Sequence, residues 1–163
     1  MSNLPNGERG SRDYSLRDFH MHVYRLFQAQ RAFLRPKISQ LGMGPGQPKV
    51  LTYIASHGTC TQREIADYFE TDPATVCRML DSLERSGFVT SRPARDRRTK
   101  ELVVTDLGLS AAASWGLCCD EETGVMLEGF SPEERELFEG FLKRAHANLR
   151  RALDAQQSGG RHE

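Results

Sequence analysis

Two groups of side chains between residues 72 and 105 have types and spacings suited to binding a nucleic acid. The first lies at the start of a predicted helix and consists of Asp72, Ala74, Thr75, Cys77 and Arg78. Small side chains let a helix enter the major groove, while threonine and arginine can hydrogen-bond phosphates or base edges. The N-terminus of the helix adds backbone N–H groups that bind phosphate. This face therefore predicts a recognition helix that contacts double-stranded DNA.

The second group is an arginine-rich loop between two short β-like segments, residues 88–91 and 101–104. The loop contains Arg95, Asp96, Arg97 and Arg98. Guanidinium groups at the tip of a hairpin suit the narrow, negative minor groove, and we expect Asp96 to pair with Arg98 and fix the loop. A solvated run of charge is the alternative. The order of helix, helix, strand, basic turn and strand favours a winged helix.

Helix-capping signals position these groups. Thr61 and Glu64 are spaced as a capping box, and either Thr71 or Asp72 is expected to cap the recognition helix. A capped helix begins at a defined residue, so the side chains of its first turn have defined directions. We also assign Thr61 and Gln62, at the start of the preceding helix, to the set of DNA contacts.

Apolar residues at spacings of three and four predict helices on both sides of this segment. The predicted organisation is a flexible tail at 1–14, a first helix at 15–41, a winged-helix domain at 45–105, C-terminal helices at 106–154 and a flexible tail at 155–163. Pro36 is expected to bend or break the first helix. Ser131 opens another capping box before the last helix, which is predicted to end near Leu153. The fold class is mainly α with a small β-hairpin wing.

The total charge does not by itself favour DNA binding, because 22 basic residues balance 22 acidic residues among the 163. The position of the charge matters more than its sum, and the arginine-rich loop is locally basic. No run of about 18 apolar residues predicts a membrane span, and the polar N-terminus lacks the pattern of a signal peptide. We therefore expect a cytoplasmic protein without membrane contact.

The cysteines and the motif content argue against metal-binding and catalytic classes. None of Cys60, Cys77, Cys118 and Cys119 is spaced for a structural zinc site. In the cytoplasm they are expected to be reduced thiols. The chain contains no G-x-S-x-G, no H-E-x-x-H and no phosphate-binding glycine loop. We therefore expect no enzymatic activity, no cofactor and no metal site.

Several motifs, taken in order, resemble the MarR (multiple antibiotic resistance regulator) family of winged-helix repressors. They are T-Q-R-E-I-A from Thr61, L-E-R-S-G-F-V from Leu83, the D-x-R of residues 96–98 and V-T-D-L-G from Val104. The resemblance implies a winged helix-turn-helix flanked by N- and C-terminal dimerisation helices. It also implies a transcriptional repressor that binds a pseudo-palindromic operator as a homodimer. Cys77 departs from the family, where threonine or serine is common at this position.

The resemblance further implies a response to a small amphipathic or phenolic ligand. The family's usual pocket lies between the dimer helices and the winged domain, where this chain offers His20, Tyr24, Phe27, Arg31, Tyr53 and His57. A histidine beside aromatic rings suits a planar anion. Two alternative functions stay open: a thiol-based redox regulator that uses Cys77, and a winged-helix module that binds another protein instead of DNA.

Overall fold

The computed structural model describes residues 16–93 and 100–159. In chain order the elements are α1 (Leu16–Gln40), α2 (Gln47–His57), β1 (Thr59–Cys60), α3 (Gln62–Tyr68), α4 (Pro73–Arg85), β2 (Val89–Pro93), β3 (Lys100–Val104), α5 (Asp106–Met126) and α6 (Pro132–Gly159). The fold is mainly helical with a small antiparallel sheet, which confirms the predicted fold class. Among the helices described, none is long and apolar enough to cross a membrane.

The contacts within the chain divide it into two units, Met1–Glu122 and Thr123–Glu163. The first unit contains a hydrophobic core built by α2, α3, α4 and the sheet. Leu51, Ile65 and Leu83, one from each of these helices, are 0% exposed. Helices as short as α2 and α3 are marginal in water by themselves, so tertiary packing in this core holds them.

Local sequence signals define the ends of α3 and α4. Thr61 and Glu64 form the predicted capping box, in which the Thr61 N–H donates to Glu64 Oε2 at 2.6 Å and the Glu64 N–H donates to Thr61 Oγ1 at 3.3 Å. Asp72, rather than Thr71, caps α4 with its side chain. After α4, Gly87 has a φ of 75°, a left-handed conformation that glycine adopts without strain.

The sheet has the strand order β1-β3-β2, and both pairings are antiparallel. β2 and β3 form the predicted hairpin, with Val89 opposite Val104 and Pro93 opposite Lys100. β1 pairs with the other edge of β3. β1 could not be predicted from the sequence, because a strand of two residues has no alternating pattern.

Several features of the helices and strands differ from the prediction. α1 continues through Pro36, so the proline does not break the helix, although its missing N–H removes one backbone hydrogen bond. α6 extends to Gly159 instead of ending near Leu153, because the sequence between these two residues contains no proline or glycine. β2 ends at Pro93 rather than at residue 91.

The second unit contains the last turn of α5, a short loop and α6. Ser131 and Glu134 form the predicted capping box, in which the Ser131 N–H donates to Glu134 Oε2 at 2.8 Å and the Glu134 N–H donates to Ser131 Oγ at 3.2 Å. Phe130 and Phe138 pack with their ring centroids 5.9 Å apart. Much of the apolar stripe along α6 is exposed, most of all Leu149 at 68%.

Candidate nucleic-acid interface

One face of α4 anchors the helix and leaves the opposite face in solvent. Val76, Leu80 and Leu83 are 1%, 5% and 0% exposed. Their spacing of four and three places them along one side of the helix. Ala74 and Arg78, two of the predicted DNA contacts, are exposed on the other side. The packing of the core therefore presents the N-terminal half of α4 to solvent.

Side chains at the start of α4 form a linked set of hydrogen bonds. Asp72 Oδ1 accepts hydrogen bonds from the backbone N–H groups of Ala74 and Thr75, both at 3.0 Å. Thr75 Oγ1 accepts a hydrogen bond from Arg78 Nη2 at 2.9 Å. Hydrogen bonding from Thr75 lowers the pKa of Asp72, and the positive charge of Arg78 acts in the same direction. Asp72 is therefore ionised at neutral pH, and Arg78 has a fixed partner.

This cap changes one expectation from the sequence. The N–H groups of Ala74 and Thr75 are bonded to Asp72, so they are not free to bind phosphate as the helix N-terminus was expected to do. Asp72 also brings a negative charge, which repels phosphate. Within this group Asp72 shapes the start of α4 and Thr75 holds Arg78. Of the residues predicted to contact DNA at the start of α4, Arg78 is exposed and carries a positive charge.

The start of α3 is tied to the start of α4. Gln62 Nε2 donates to the backbone carbonyl of Pro73 at 3.0 Å. The Thr61 hydroxyl donates to Glu64 Oε2 at 2.9 Å within the capping box, and the hydrogen bonds from Thr61 lower the pKa of Glu64. The Thr61 hydroxyl and the Gln62 amide nitrogen thus have partners within the fold. Their assignment as DNA contacts stays a prediction.

The second half of the exposed face of α4 is less basic than the first. Cys77 is half-buried, and its Sγ donates a weak hydrogen bond to Asp81 Oδ2 at 3.9 Å. Arg85 Nε donates to the Asp81 backbone carbonyl at 3.2 Å, and Glu84 lies beside them. Two carboxylates therefore accompany one arginine in this turn. The contact of the Cys77 thiol is a carboxylate, which gives the redox alternative no support.

The stem of the wing contains an ion pair that was not predicted from the sequence. Arg92 of β2 lies opposite Glu101 of β3, with Arg92 Nε 3.1 Å from Glu101 Oε2. The pairing depends on the register of the hairpin, which the sequence pattern alone did not define. The predicted minor-groove residues lie outside the described part of the chain: Arg95, Asp96, Arg97 and Arg98.

The residues predicted to line a ligand pocket fall into two groups. The first lies exposed on one face of α1 and comprises His20, Tyr24, Phe27 and Arg31. Within it, the Arg31 guanidinium lies 5.6 Å from the centre of the Phe27 ring. The second is Tyr53 and His57 of α2, whose rings stack with centroids 4.0 Å apart. Among residues 16–93 and 100–159, no ring contact or hydrogen bond joins the two groups, so the pocket stays a prediction.

Two aromatic residues that were not predicted to line the pocket extend the second group. Tyr68 and Phe69, at the end of α3, lie with ring centroids 4.6 Å and 5.7 Å from that of Tyr53. Desolvation is the main cause that raises the pKa of Tyr53. Tyr68 is 63% exposed. These rings come from two helices, so spacing along one helix could not have grouped them.

All four cysteines are free thiols. Burial raises the pKa of Cys60 to about 11 and also raises the pKa of Cys119, so both favour the protonated form. Within the described ranges of the chain, no three histidine, cysteine, aspartate or glutamate side chains are grouped so that they could hold a metal ion.

Comparison with known proteins relates this architecture to one family. The model of the MarR family matches residues 45–100, which extend from just before α2 to the start of β3. The chain is also 25% identical over 128 residues to YybA, an uncharacterized HTH-type transcriptional regulator of Bacillus subtilis. That match covers 78% of this chain and 85% of YybA.

Solved structures share the fold over most of the chain. The crystal structure of transcriptional regulator PA3341 is 31% identical, with a TM-score of 0.72, and the match covers 82% of this chain and 98% of that one. A cysteine variant of MarR from E. coli, crystallised with operator DNA, is 22% identical with a TM-score of 0.72, over 78% of this chain and 93% of that one. With its helix-turn-helix, its wing and these relatives, the chain belongs to the MarR family of winged helix-turn-helix transcriptional regulators.

Proposed function

We propose that the protein is a sequence-specific DNA-binding regulator whose homodimer binds a pseudo-palindromic operator. The observation that carries the proposal is the geometry of α4, which is buried along one face and presents Arg78, held by Thr75, on the other. An arginine that is already restrained loses less side-chain freedom when it hydrogen-bonds a base edge or a phosphate. The E. coli MarR variant crystallised with operator DNA supports DNA as the partner.

The proposed dimer accounts for apolar side chains that α1 and α6 expose. In α1, Phe19, Val23 and Phe27 are 47%, 52% and 49% exposed. In α6, Leu137 and Leu149 are 57% and 68% exposed. Contiguous apolar surface of this kind marks a region that another molecule covers. A second copy of the chain would bury both faces and remove them from water.

A two-fold dimer sets the form of the operator. It presents two copies of α4 and two wings, so the operator is an inverted repeat with half-sites about one helical turn apart. The arginines at 95, 97 and 98 add phosphate or minor-groove contacts, which make the affinity dependent on salt.

The proposal extends to how the protein would regulate transcription. Repression, and release from DNA by a small amphipathic or phenolic ligand, stay predictions from the family resemblance. Tyr53 and His57 supply the stacked rings that such a ligand could contact. Because its target would be the chromosome, we propose that the protein acts in the cytoplasm.

The variant Arg78→Ala tests the proposed function. The wild-type protein first enriches duplexes from a random-sequence pool, and fluorescence anisotropy then measures affinity for an enriched duplex. We expect Arg78→Ala to weaken binding about ten- to hundredfold, because a good arginine contact with a base contributes about 1–3 kcal/mol.

Arg151→Ala is the matched control. Arg151 Nη2 also donates to a side chain three residues earlier, Asn148 Oδ1 at 2.6 Å, but it lies on α6. This variant should bind as the wild type does. If the wild type enriches no sequence, or if Arg78→Ala binds with unchanged affinity, α4 is not the DNA-reading element. The protein-binding alternative predicts no signal even with random duplex at low salt.

A further inference from the structure

The Thr105 side chain lies where the end of α4, the sheet and the start of α5 meet. Its hydroxyl donates to the carbonyl oxygen of Gly87 at 2.6 Å, and the carbonyl oxygen of Phe88 is 3.1 Å away. The same hydroxyl accepts a hydrogen bond from the Gly108 N–H at 3.1 Å. One side chain thus connects the turn after α4 with the first turn of α5.

The backbone of Phe88 is bonded to two of these elements. Its N–H donates to the carbonyl of Leu83 at 3.0 Å, which closes the end of α4. Its carbonyl accepts a hydrogen bond from the Thr105 N–H at 3.0 Å, one residue beyond the pairing of Val89 with Val104. The end of α4 and the base of the wing hairpin therefore share one residue.

Gly108 allows α5 to approach this point. A Cβ at this position would lie 2.0 Å from the Phe88 carbonyl oxygen and 2.7 Å from a methyl carbon of Val104. Heavy atoms do not pack at such distances, so a larger residue would displace α5 from the turn. In the V-T-D-L-G motif, threonine supplies the hydroxyl and glycine supplies the space.

We propose that Thr105 is a positioning residue for DNA binding: its hydroxyl fixes the end of α4 against the base of the wing hairpin. The recognition helix and the wing then contact DNA in one fixed orientation relative to each other. This inference rests on the proposed function. Sequence-specific binding requires both elements to match the duplex at once, whereas non-specific binding depends mainly on phosphate charge. Loss of the hydroxyl should therefore reduce specific affinity more than non-specific affinity.

The variant Thr105→Val removes the hydroxyl and keeps the shape of the side chain. The affinities of the full chain are measured for a duplex enriched by the wild type and for a random duplex of equal length. Because a lost hydrogen bond leaves a carbonyl without its partner, we expect about a tenfold loss for the enriched duplex. We expect less than about a twofold change for the random duplex. A smaller folded fraction would lower both affinities by the same factor, so it cannot change their ratio.

Two further variants separate positioning from general packing. Thr105→Ser keeps the hydroxyl and should restore the wild-type ratio. Thr52→Val removes a comparable hydroxyl, which donates to the Pro48 carbonyl at 2.9 Å on α2, and should leave the ratio unchanged. All variants are compared at a temperature below the unfolding midpoint of the least stable one.

An unchanged ratio in Thr105→Val overturns the inference, and so does a Thr105→Ser variant that is as impaired as Thr105→Val. The second outcome would mean that the hydroxyl alone does not set the ratio and that the packing of the whole side chain does. These results differ from a failure of the proposed function, in which the wild type itself would enrich no duplex. A restored ratio with serine and a reduced ratio with valine supports the positioning role.

Discussion

α4 and α6 are both amphipathic helices that begin at a side-chain cap, but their apolar faces have different surroundings. In α4, Leu80 and Leu83 are 5% and 0% exposed, whereas in α6 Leu142 and Leu149 are 52% and 68% exposed. The two apolar stripes have the same helical spacing. The core of the first unit covers the stripe of α4, and the described residues leave much of the stripe of α6 in solvent.

This difference shows how one sequence pattern can serve two purposes. The apolar face of α4 already has its partners, so its polar face is the side available to another molecule. That side carries Thr75 and Arg78, joined by a hydrogen bond. On α6 the polar face carries ion pairs of its own, such as Arg150 with Asp154 at 3.6 Å. Here the apolar face is the side available, and we propose that a second copy covers it.

A charge on the apolar face of α6 should have the largest effect. Leu149→Glu adds a carboxylate where the side chain is exposed in a single chain but would be buried in the proposed dimer. Burying an unpaired charge is costly. We expect the dimer to dissociate about a hundredfold more readily, with a corresponding loss of operator binding. Sedimentation equilibrium measures the dimer, and circular dichroism checks the helices.

Ala147→Glu is the control for this variant. It adds the same side chain two residues away, which is about 200° around the helix and therefore on the opposite face. Ala147 is exposed, and the dimer should persist. A Leu149→Glu variant that stays dimeric would show that this stripe is not the contact between copies.

Shortening a buried side chain in α4 should have an effect of similar size, but on the stability of the fold. Leu83 is 0% exposed, so Leu83→Ala leaves a cavity in the core and should lower the free energy of unfolding by about 2–5 kcal/mol. Leu149→Ala should weaken the dimer and leave the packing of the core intact. Urea unfolding at one protein concentration, together with sedimentation, distinguishes the two. A loss under about 1 kcal/mol for Leu83→Ala would mean that the α4 face is not core.

The sequence predicts best what depends on residues close together in the chain. The capping boxes at Thr61 and Ser131 can be predicted because each joins residues three positions apart. The hydrogen bond from the Gly108 N–H to the Thr105 hydroxyl has the same separation. The hydrogen bond from Thr105 to Gly87, 18 residues away, cannot be predicted in this way, because it depends on the register of the hairpin and on the close approach of α5.

In the candidate site, too, features that depend on nearby residues can be predicted, and features that depend on the tertiary structure cannot. The exposure of Arg78 could be predicted from helical spacing, since it lies opposite Val76 and Leu80. A capping aspartate accepts hydrogen bonds from the first N–H groups of its helix, so the bonds from Ala74 and Thr75 to Asp72 could have been predicted. The sequence was instead interpreted as leaving these N–H groups free for phosphate. The pairing of Arg92 with a residue of the facing strand required the tertiary structure.

Removing the cap of α4 should have the smallest of these effects, and one that depends on pH. Hydrogen bonding lowers the pKa of Asp72 below its ordinary value of 3.8. A carboxylate with a lowered pKa in the folded state stabilises that state above the ordinary pKa, and the stabilisation is lost as pH falls through the folded-state value. Asp72→Ala should therefore lower the unfolding midpoint by a few degrees at pH 7. The difference from the wild type should shrink below pH 3.8.

Thermal unfolding at pH 7, 5 and 3 measures this difference, and two variants define its origin. Asp72→Asn keeps an acceptor for the N–H groups of Ala74 and Thr75, so it should lose less stability than Asp72→Ala at pH 7. Asp67→Ala removes a carboxylate of α3 that lies 3.8 Å from Arg63, with both side chains mostly exposed, and should change little at any pH. If the Asp72→Ala difference stayed constant from pH 7 to pH 3, the ionised carboxylate would not be what holds the start of α4.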